Sequence, residues 1–262
     1  ELNALLPAGE KVEFVLQRPF PDPIAWSNAA RKLIAVEVDL IVTYGAPATL
    51  ATVHENSPVP VVYAGVYDPE NADIKSSKVT GCGFKVPLSS LLRYFKRLKS
   101  LSSLTVVFSG IEEDSVRQKE ELRALAEGQQ VKIKEMDLKA VADLEQLRTL
   151  QGADTVLITG SALSHVWLNQ IMSILRQNKV AVGSIFPDTA GAGVLITLYQ
   201  PPREQGKVAA SMAARILHGE KPSSIAPELL RDTELVFNLV EAQHIDISFP
   251  IQLIVEATRV IK

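Results

Sequence analysis

DLIVTYGAPA (residues 39–48) and DTVLITGSAL (residues 154–163) decide the fold of this 262-residue chain. In each, an Asp opens an apolar, β-branched run too short for a helix and a Gly closes it, so each reads as a buried strand running into a turn. The two align without a gap: Asp39 pairs with Asp154 and Gly45 with Gly160, each 115 positions on. A helical stretch follows each copy. Then comes a second apolar strand ending in an acidic turn, VPVVYAGVYDP (59–69) in the first copy and KVAVGSIFPD (179–188) in the second. Working outward, further strands are expected at KVEFVL (11–16), LTVVFSG (104–110), QVKIKEM (130–136) and GVLITLY (193–199). Helix signals lie between them. Asp22 and Pro23 precede IAWSNAARKLIA, and Ser115 precedes VRQKEELRALAEG, which Gly128 stops. Strand and helix in alternation predict an α/β fold with parallel sheets, and strands apolar throughout predict helices on both sheet faces. The repeat predicts two similar α/β lobes, joined by short hinge strands because no long linker separates them.

Composition narrows the function classes. Hydrophobic residues make up 47% and charged residues 22%, the profile of a packed globular protein. Asp, Gly or Pro interrupts every apolar stretch before the 18 or so residues needed to span a bilayer. A net charge of −3 argues against a nucleic-acid partner, which requires clustered positive charge. Cys82 is the sole cysteine, and His54, His165, His218 and His244 have no zinc-ligand spacing with it, so neither a disulfide framework nor a metal site is expected.

In parallel α/β sheets ligands sit beyond the carboxyl ends of the strands, where loops meet helix amino ends. Tyr44-Gly45-Ala46-Pro47-Ala48-Thr49 is the first such place: Gly45 permits an unusual backbone angle, Pro47 suits a first helical turn, and small Ala46 and Ala48 leave amides open to a carboxylate or phosphate. An ordinary strand-to-helix turn has the same composition. Thr159, Gly160 and Ser161 occupy the matching place in the second copy, where the hydroxyls can hold a ligand or cap the helix. Ser109 and Gly110 form a third strand end, and the Glu112, Glu113 and Asp114 that follow complement a helix dipole. Tyr67-Asp68 and Asp188 lie in acidic turns. An Asp beside an anion seat suits a zwitterion such as an amino acid; a turn Asp bonding its own backbone is the alternative.

Catalytic signals are weak. There is no G-x-S-x-G elbow, Walker lysine loop or H-E-x-x-H, and the G-x-G strings at Gly81 to Gly83 and Gly191 to Gly193 lack the third glycine of a dinucleotide fingerprint. The basic, aromatic helix around Arg93-Tyr94-Phe95-Lys96-Arg97 and Lys99 reads as a solvated face over an apolar one.

An ordered set of motifs resembles the substrate-binding proteins of ABC transporters, in the group that includes tryptophan-binding lipoproteins: DLIVTYGAPAT (39–49), VPVVYAGVYDP (59–69), KVTGCG (78–83), GKVAA (206–210) running into ARILHGEKPSSI (214–225), and ELVFNLVEAQHIDISFP (234–250). The resemblance implies the type I periplasmic-binding-protein fold, a small carboxylated or zwitterionic ligand such as an amino acid held between two lobes, delivery to a membrane permease, and no cofactor or chemistry. It implies an N-terminal lobe of 1–82 plus about 200–220 and a C-terminal lobe of 83–199 plus about 221–262. It places the ligand loops at Tyr44 to Thr49, Tyr67 and Asp68, Ser109 and Gly110, Thr159 to Ser161, and Asp188. The family's Gly-Thr-Pro-Ala reads Gly45-Ala46-Pro47-Ala48 here, Tyr67 replaces a small polar residue, and Leu198-Tyr199-Gln200-Pro201-Pro202 replaces an aromatic-Gly strand end, so ligand identity does not carry over. The location implied is periplasmic or extracytoplasmic, membrane-associated through a partner or lipid anchor, with any signal segment already removed. A ligand-sensing module of a signalling system shares this fold and would sit beside a membrane-spanning signalling segment; an α/β enzyme, less favoured, would show a titratable catalytic pair. Finally, Glu1 to Leu6 reads as the tail of a helix closing near Gly9, with no strand before it. The N-terminal lobe is therefore expected to lack its first, central strand, the gap being filled by upstream residues, a rearranged sheet or a partner chain, as in a dimer.

Overall fold

The computed structural model describes residues 2–7, 10–187 and 189–262. Gly9 and Asp188 thus lie outside the described residues. The chain forms two compact units, one of residues up to Lys85 with Pro201–Arg231, the other of Val86–Gln200 with Asp232–Lys262. The second passage through the first unit extends to Arg231, beyond the residue near 220 expected from sequence.

The chain enters the first unit through α1 (Leu2–Leu5), α2 (Pro23–Ala35), β1 (Ile41–Tyr44), α3 (Ala46–His54), β2 (Val61–Tyr67) and β3 (Val79–Phe84). It then builds most of the second unit: α4 (Leu88–Leu98), β4 (Ser103–Phe108), α5 (Glu113–Glu127), β5 (Lys132–Asp137), β6 (Thr155–Ile158), α6 (Ala162–Val166), α7 (Leu168–Gln177), β7 (Ala181–Ser184) and β8 (Ile196–Tyr199). It returns to the first unit for α8 (Pro202–Leu217) and β9 (Glu228–Leu230), and ends in the second with β10 (Glu234–Asn238), α9 (Leu239–His244), α10 (Ile251–Ile254) and β11 (Arg259–Ile261).

The first unit's sheet has the order β1-β2-β3-β9, all parallel. One face carries Val62, Ala64 and Cys82 against Ala209, Met212, Ala213 and Ile216 of α8. The other carries Tyr63 and Val66 against Ala46 and Ala72. Close approach in this sheet depends on Gly81, where a Cβ would lie 2.2 Å from the Tyr63 carbonyl oxygen. The second unit's sheet runs β11-β10-β8-β7-β6-β4-β5, and here the expectation of purely parallel pairing is corrected: β10 runs antiparallel to β8. Its buried core joins Val107, Val156, Ile158 and Val182 of the central strands to Ile171, Met172 and Leu175 of α7.

Two local expectations change. KVEFVL (11–16) forms no strand; Phe14 and Leu16 are 68% and 67% exposed, and an apolar run without a hydrogen-bonding partner does not become one. Ser115 is not the cap of its helix. The helix begins at Glu113, two residues earlier, because the buried Ser115 hydroxyl is engaged at the end of β4. Asp22 does cap α2, accepting from the amides of Ile24 at 2.9 Å and Ala25 at 3.0 Å, with Pro23 at the first helical position. Among the described residues no strand lies on the outer side of β1, whose Val42 is exposed.

Candidate functional site

The two aligned strand ends, Gly45 after β1 and Gly160 after β6, meet their helices differently. Gly45 takes φ +84°, a backbone angle that glycine adopts without strain, and its amide donates to the Ala64 carbonyl at 2.8 Å. The chain then enters α3 with Gly45 at the N-cap, which makes no side-chain cap bond. Thr49 hydroxyl donates to the Gly45 carbonyl at 2.8 Å, so Thr43 supplies the proton for the 2.9 Å bond between the two threonines. Both are buried and serve the turn itself. Ala46 and Pro47 are buried and Ala48 half-buried, which leaves the first turn of α3 lined by small groups and backbone. Tyr44 stands over Gly65, where a Cβ would fall 2.6 Å from its ring.

At the end of β2, Tyr67 is fully buried and packs edge-on against Phe84, with centroids 5.5 Å apart. Asp68 adopts left-handed backbone at φ +48°. Its carboxylate accepts from Asn71 Nδ2 at 3.0 Å and from Lys85 Nζ at 2.9 Å, so the charge offered in sequence for a ligand ammonium is matched inside the unit by Lys85.

In the second unit the polar groups of the strand ends bind one another. Ser109 amide donates to the Ser115 hydroxyl at 2.8 Å, and that hydroxyl lies 2.6 Å from Thr159 Oγ1. Gly110 amide donates to Asp137 Oδ1 at 2.7 Å. Gly160 amide donates to Gln118 Oε1 at 2.6 Å, and Ser161 caps α6 by accepting from the Ser164 amide at 2.9 Å. Glu112 reaches across: Oε2 accepts from the Ala162 amide at 2.7 Å and Oε1 from Leu163 at 3.0 Å. Burial pushes the Glu112 carboxyl above its usual range, the two amides opposing that shift. Glu112, Gln118, Lys85 and Asp137 were all missed as site-forming residues. For the first two a signal existed, since Glu112, Ser115 and Gln118 recur every third position and share one face at the start of α5.

Among the described residues no cluster of three or more His, Cys, Asp or Glu is placed to hold a metal. Burial raises the Cys82 thiol to about 11, which leaves it a core group and not a nucleophile.

The chain thus has two α/β units, each with strand ends that run into helices at glycine-bearing loops. A family model described as ABC transporter substrate binding protein matches residues 9–261, and the chain belongs to that family, whose members bind solutes and perform no chemistry. The fold is that of the type I periplasmic binding proteins. A tyrosine-binding protein of Clostridioides difficile (strain R20291) is 22% identical over 239 residues, covering 88% of this chain and 69% of that protein. A crystal structure of a conserved domain protein from Vibrio cholerae superposes with a TM-score of 0.92 at 22% identity, covering 99% of this chain and 91% of the other. A Streptococcus pneumonia ABC domain solved with L-Trp gives a TM-score of 0.85 at 20% identity, covering 92% of this chain and 84% of that one.

Proposed function

We propose that this chain is an extracytoplasmic receptor that takes up an amino acid, or a similarly small carboxylated molecule, for an ABC permease. The observation that carries the reading is the amino end of α3, where Gly45 supplies no side-chain cap and Gly45, Ala46, Pro47 and Ala48 add little side-chain bulk. A helix amino end of this kind favours a carboxylate through its amides and its dipole. The candidate loops are Tyr44 to Thr49, Tyr67 and Asp68 in the first unit and Ser109, Gly110 and Thr159 to Ser161 in the second. Asp188, outside the described residues, is the remaining sequence candidate for an ammonium group, because Asp68 is matched by Lys85. The names of two relatives make aromatic amino acids the first to try. Attachment to the membrane, through a lipid or through the permease, belongs to the same reading.

The test is a thermal-shift screen of amino acids and small carboxylates, with native mass spectrometry of the purified protein for a carried-over ligand. Ligand at about 100 times its Kd stabilises a single-site protein by about 2.7 kcal/mol. A broad panel with no shift, together with no bound molecule by mass spectrometry, removes the reading.

A further inference from the structure

One edge of the first unit's sheet is open. In β1 the Ile41 amide donates to the Pro60 carbonyl at 3.0 Å, and the Gly45 amide to Ala64, so the odd-numbered residues face β2. The amide and carbonyl of one residue in a parallel strand point to the same side, so those of Val42 point the other way. There, among the described residues, no strand pairs with β1. Val42 is itself 55% exposed. The devices that blunt an exposed edge are missing, since Ile41–Tyr44 carries neither charge nor proline and pairs with β2 without a bulge. A second unpaired feature lies earlier in the same unit. KVEFVL (11–16) has the composition of a strand but joins no sheet, and β1 does not take it up within the chain. Of the fifteen large hydrophobic side chains exposed among the described residues, five fall in the eleven positions from Phe14 to Ile24.

We propose that both features are covered by a second copy of this chain: segment 11–16 of each copy adds as a strand to the open edge of β1 in the other, about a two-fold axis. Each copy offers one donor segment and one acceptor edge, the self-complementary set that a two-fold interface requires, and the exchange closes at two copies with both edges filled. The area suffices. Phe14, Val15, Leu16, Phe20, Ile24 and Val42 are between 45% and 72% exposed. At about 150–200 Å² for each side chain they present roughly 600 Å² of apolar surface per copy. A standard interface buries about 800 Å² per partner, about 60% of it apolar, so it needs roughly 500 Å². Backbone pairing at Val42 sets the register, and burial of the apolar side chains supplies the affinity. None of these six residues lies in a strand-end loop, so the inference is independent of the solute-binding reading.

Sedimentation equilibrium of the full chain from about 1 to 100 µM, without added solute, is expected to show monomer and dimer and nothing larger. Leu16→Asp puts a charge in the donor segment and Val42→Lys puts one on the acceptor edge. Each is expected to weaken dimerisation by about a hundredfold or more. Both side chains are exposed in the single chain, so the melting temperature of the dilute protein should stay within a few degrees of wild type. Site-resolved hydrogen exchange reads the pairing itself: the Val42 amide should slow by about tenfold or more between dilute and concentrated wild type, and in neither variant. Wild type that remains monomeric at 100 µM overturns the proposal. A dimer that survives either substitution does so too, because its interface then lies elsewhere, as does a dimer whose Val42 amide exchanges as fast as in the monomer. If Leu16→Asp does not fold, Phe14→Asp tests the same segment.

Discussion

Ala48→Asp isolates the α3 seat. Position 48 lies in the first turn of α3 and is half-buried, whereas its neighbours Ala46, Pro47 and Thr49 are buried, so it is the place where a longer side chain fits without displacing the core. An aspartate there complements the helix dipole, a gain of about 0.3–1 kcal/mol, and the fold is expected to keep or slightly raise its melting temperature. A ligand carboxylate on the same turn meets a like charge. At a separation of about 6 Å and an effective dielectric of about 40, suited to a half-buried place, the repulsion is about 1.4 kcal/mol, a tenfold loss of affinity. Titration calorimetry with the best-binding carboxylate from the screen, in wild type, Ala48→Asp and Ala48→Ser, measures it. The Ser variant separates bulk from charge and is expected to bind within about threefold of wild type. Because the position is half-exposed, part of the loss should be recovered on raising the salt from about 0.05 to 0.5 M. A folded Ala48→Asp protein with unchanged affinity refutes the α3 seat.

Further outcomes follow from the packing. Gly81→Ala puts a methyl group 2.2 Å from the Tyr63 carbonyl oxygen and is expected to destabilise by about 3 kcal/mol or more, or to prevent folding, as read by thermal melting. Cys82, fully buried with its thiol raised to about 11, should resist a thiol reagent in native buffer and react at the opening rate of the first unit; prompt labelling would contradict its burial. Burial raises the Glu241 carboxyl despite its contact with Arg176, so the folded state holds that proton more tightly than the unfolded chain. Stability from this group is then lost as pH rises from about 4.5 through the raised pKa, and Glu241→Gln should gain on wild type between pH 4.5 and 7 in paired melts. Val42→Lys on the exposed face of β1 should leave the melting temperature within about 2 °C and reduce any self-association seen by light scattering at high concentration.

The sheets were legible where strand formation depends on the strand alone. DTVLIT and KVAVGS are buried on both faces, as their apolar composition predicts, whereas β1 within DLIVTY forms but alternates, with Val42 and Tyr44 exposed. β3 was harder, since VTGCGF carries two glycines and low intrinsic preference; it is a strand because α8 packs on Cys82 and because Gly81 lets β2 approach. β9 and β11, at three residues each, depend on their neighbours entirely. KVEFVL failed in the opposite sense. Its composition is that of a strand, yet a strand is a pairing of two segments, and sequence reports one.

The roles of the candidate site residues were not legible in the sequence, for a physical reason that the repeat exposes. Hydroxyls, carboxylates and carboxamides at strand ends have two competing uses, ligand or backbone, and the residue types are the same for both. In the second unit the backbone wins. Ser109, Thr159 and Ser161 are fully buried; Ser115 meets the Ser109 amide and the Thr159 hydroxyl, and Gln118 and Glu112 take the amides of Gly160 and Ala162, while the Ser109 hydroxyl has no hydrogen-bond partner among the described residues. In the first unit the same loop carries Ala-Pro-Ala where the second carries Ser-Ala-Leu, and its N-cap Gly45 makes no side-chain cap bond. The loss of a hydroxyl between Gly45 and Pro47, which on sequence grounds weakens the seat, therefore has a second consequence. A hydroxyl there would bond its own helix as Ser161 does, whereas alanine leaves recognition to the backbone. Backbone amides read charge and shape but not side-chain identity, so selectivity among carboxylated ligands must come from the groups facing the rest of the molecule.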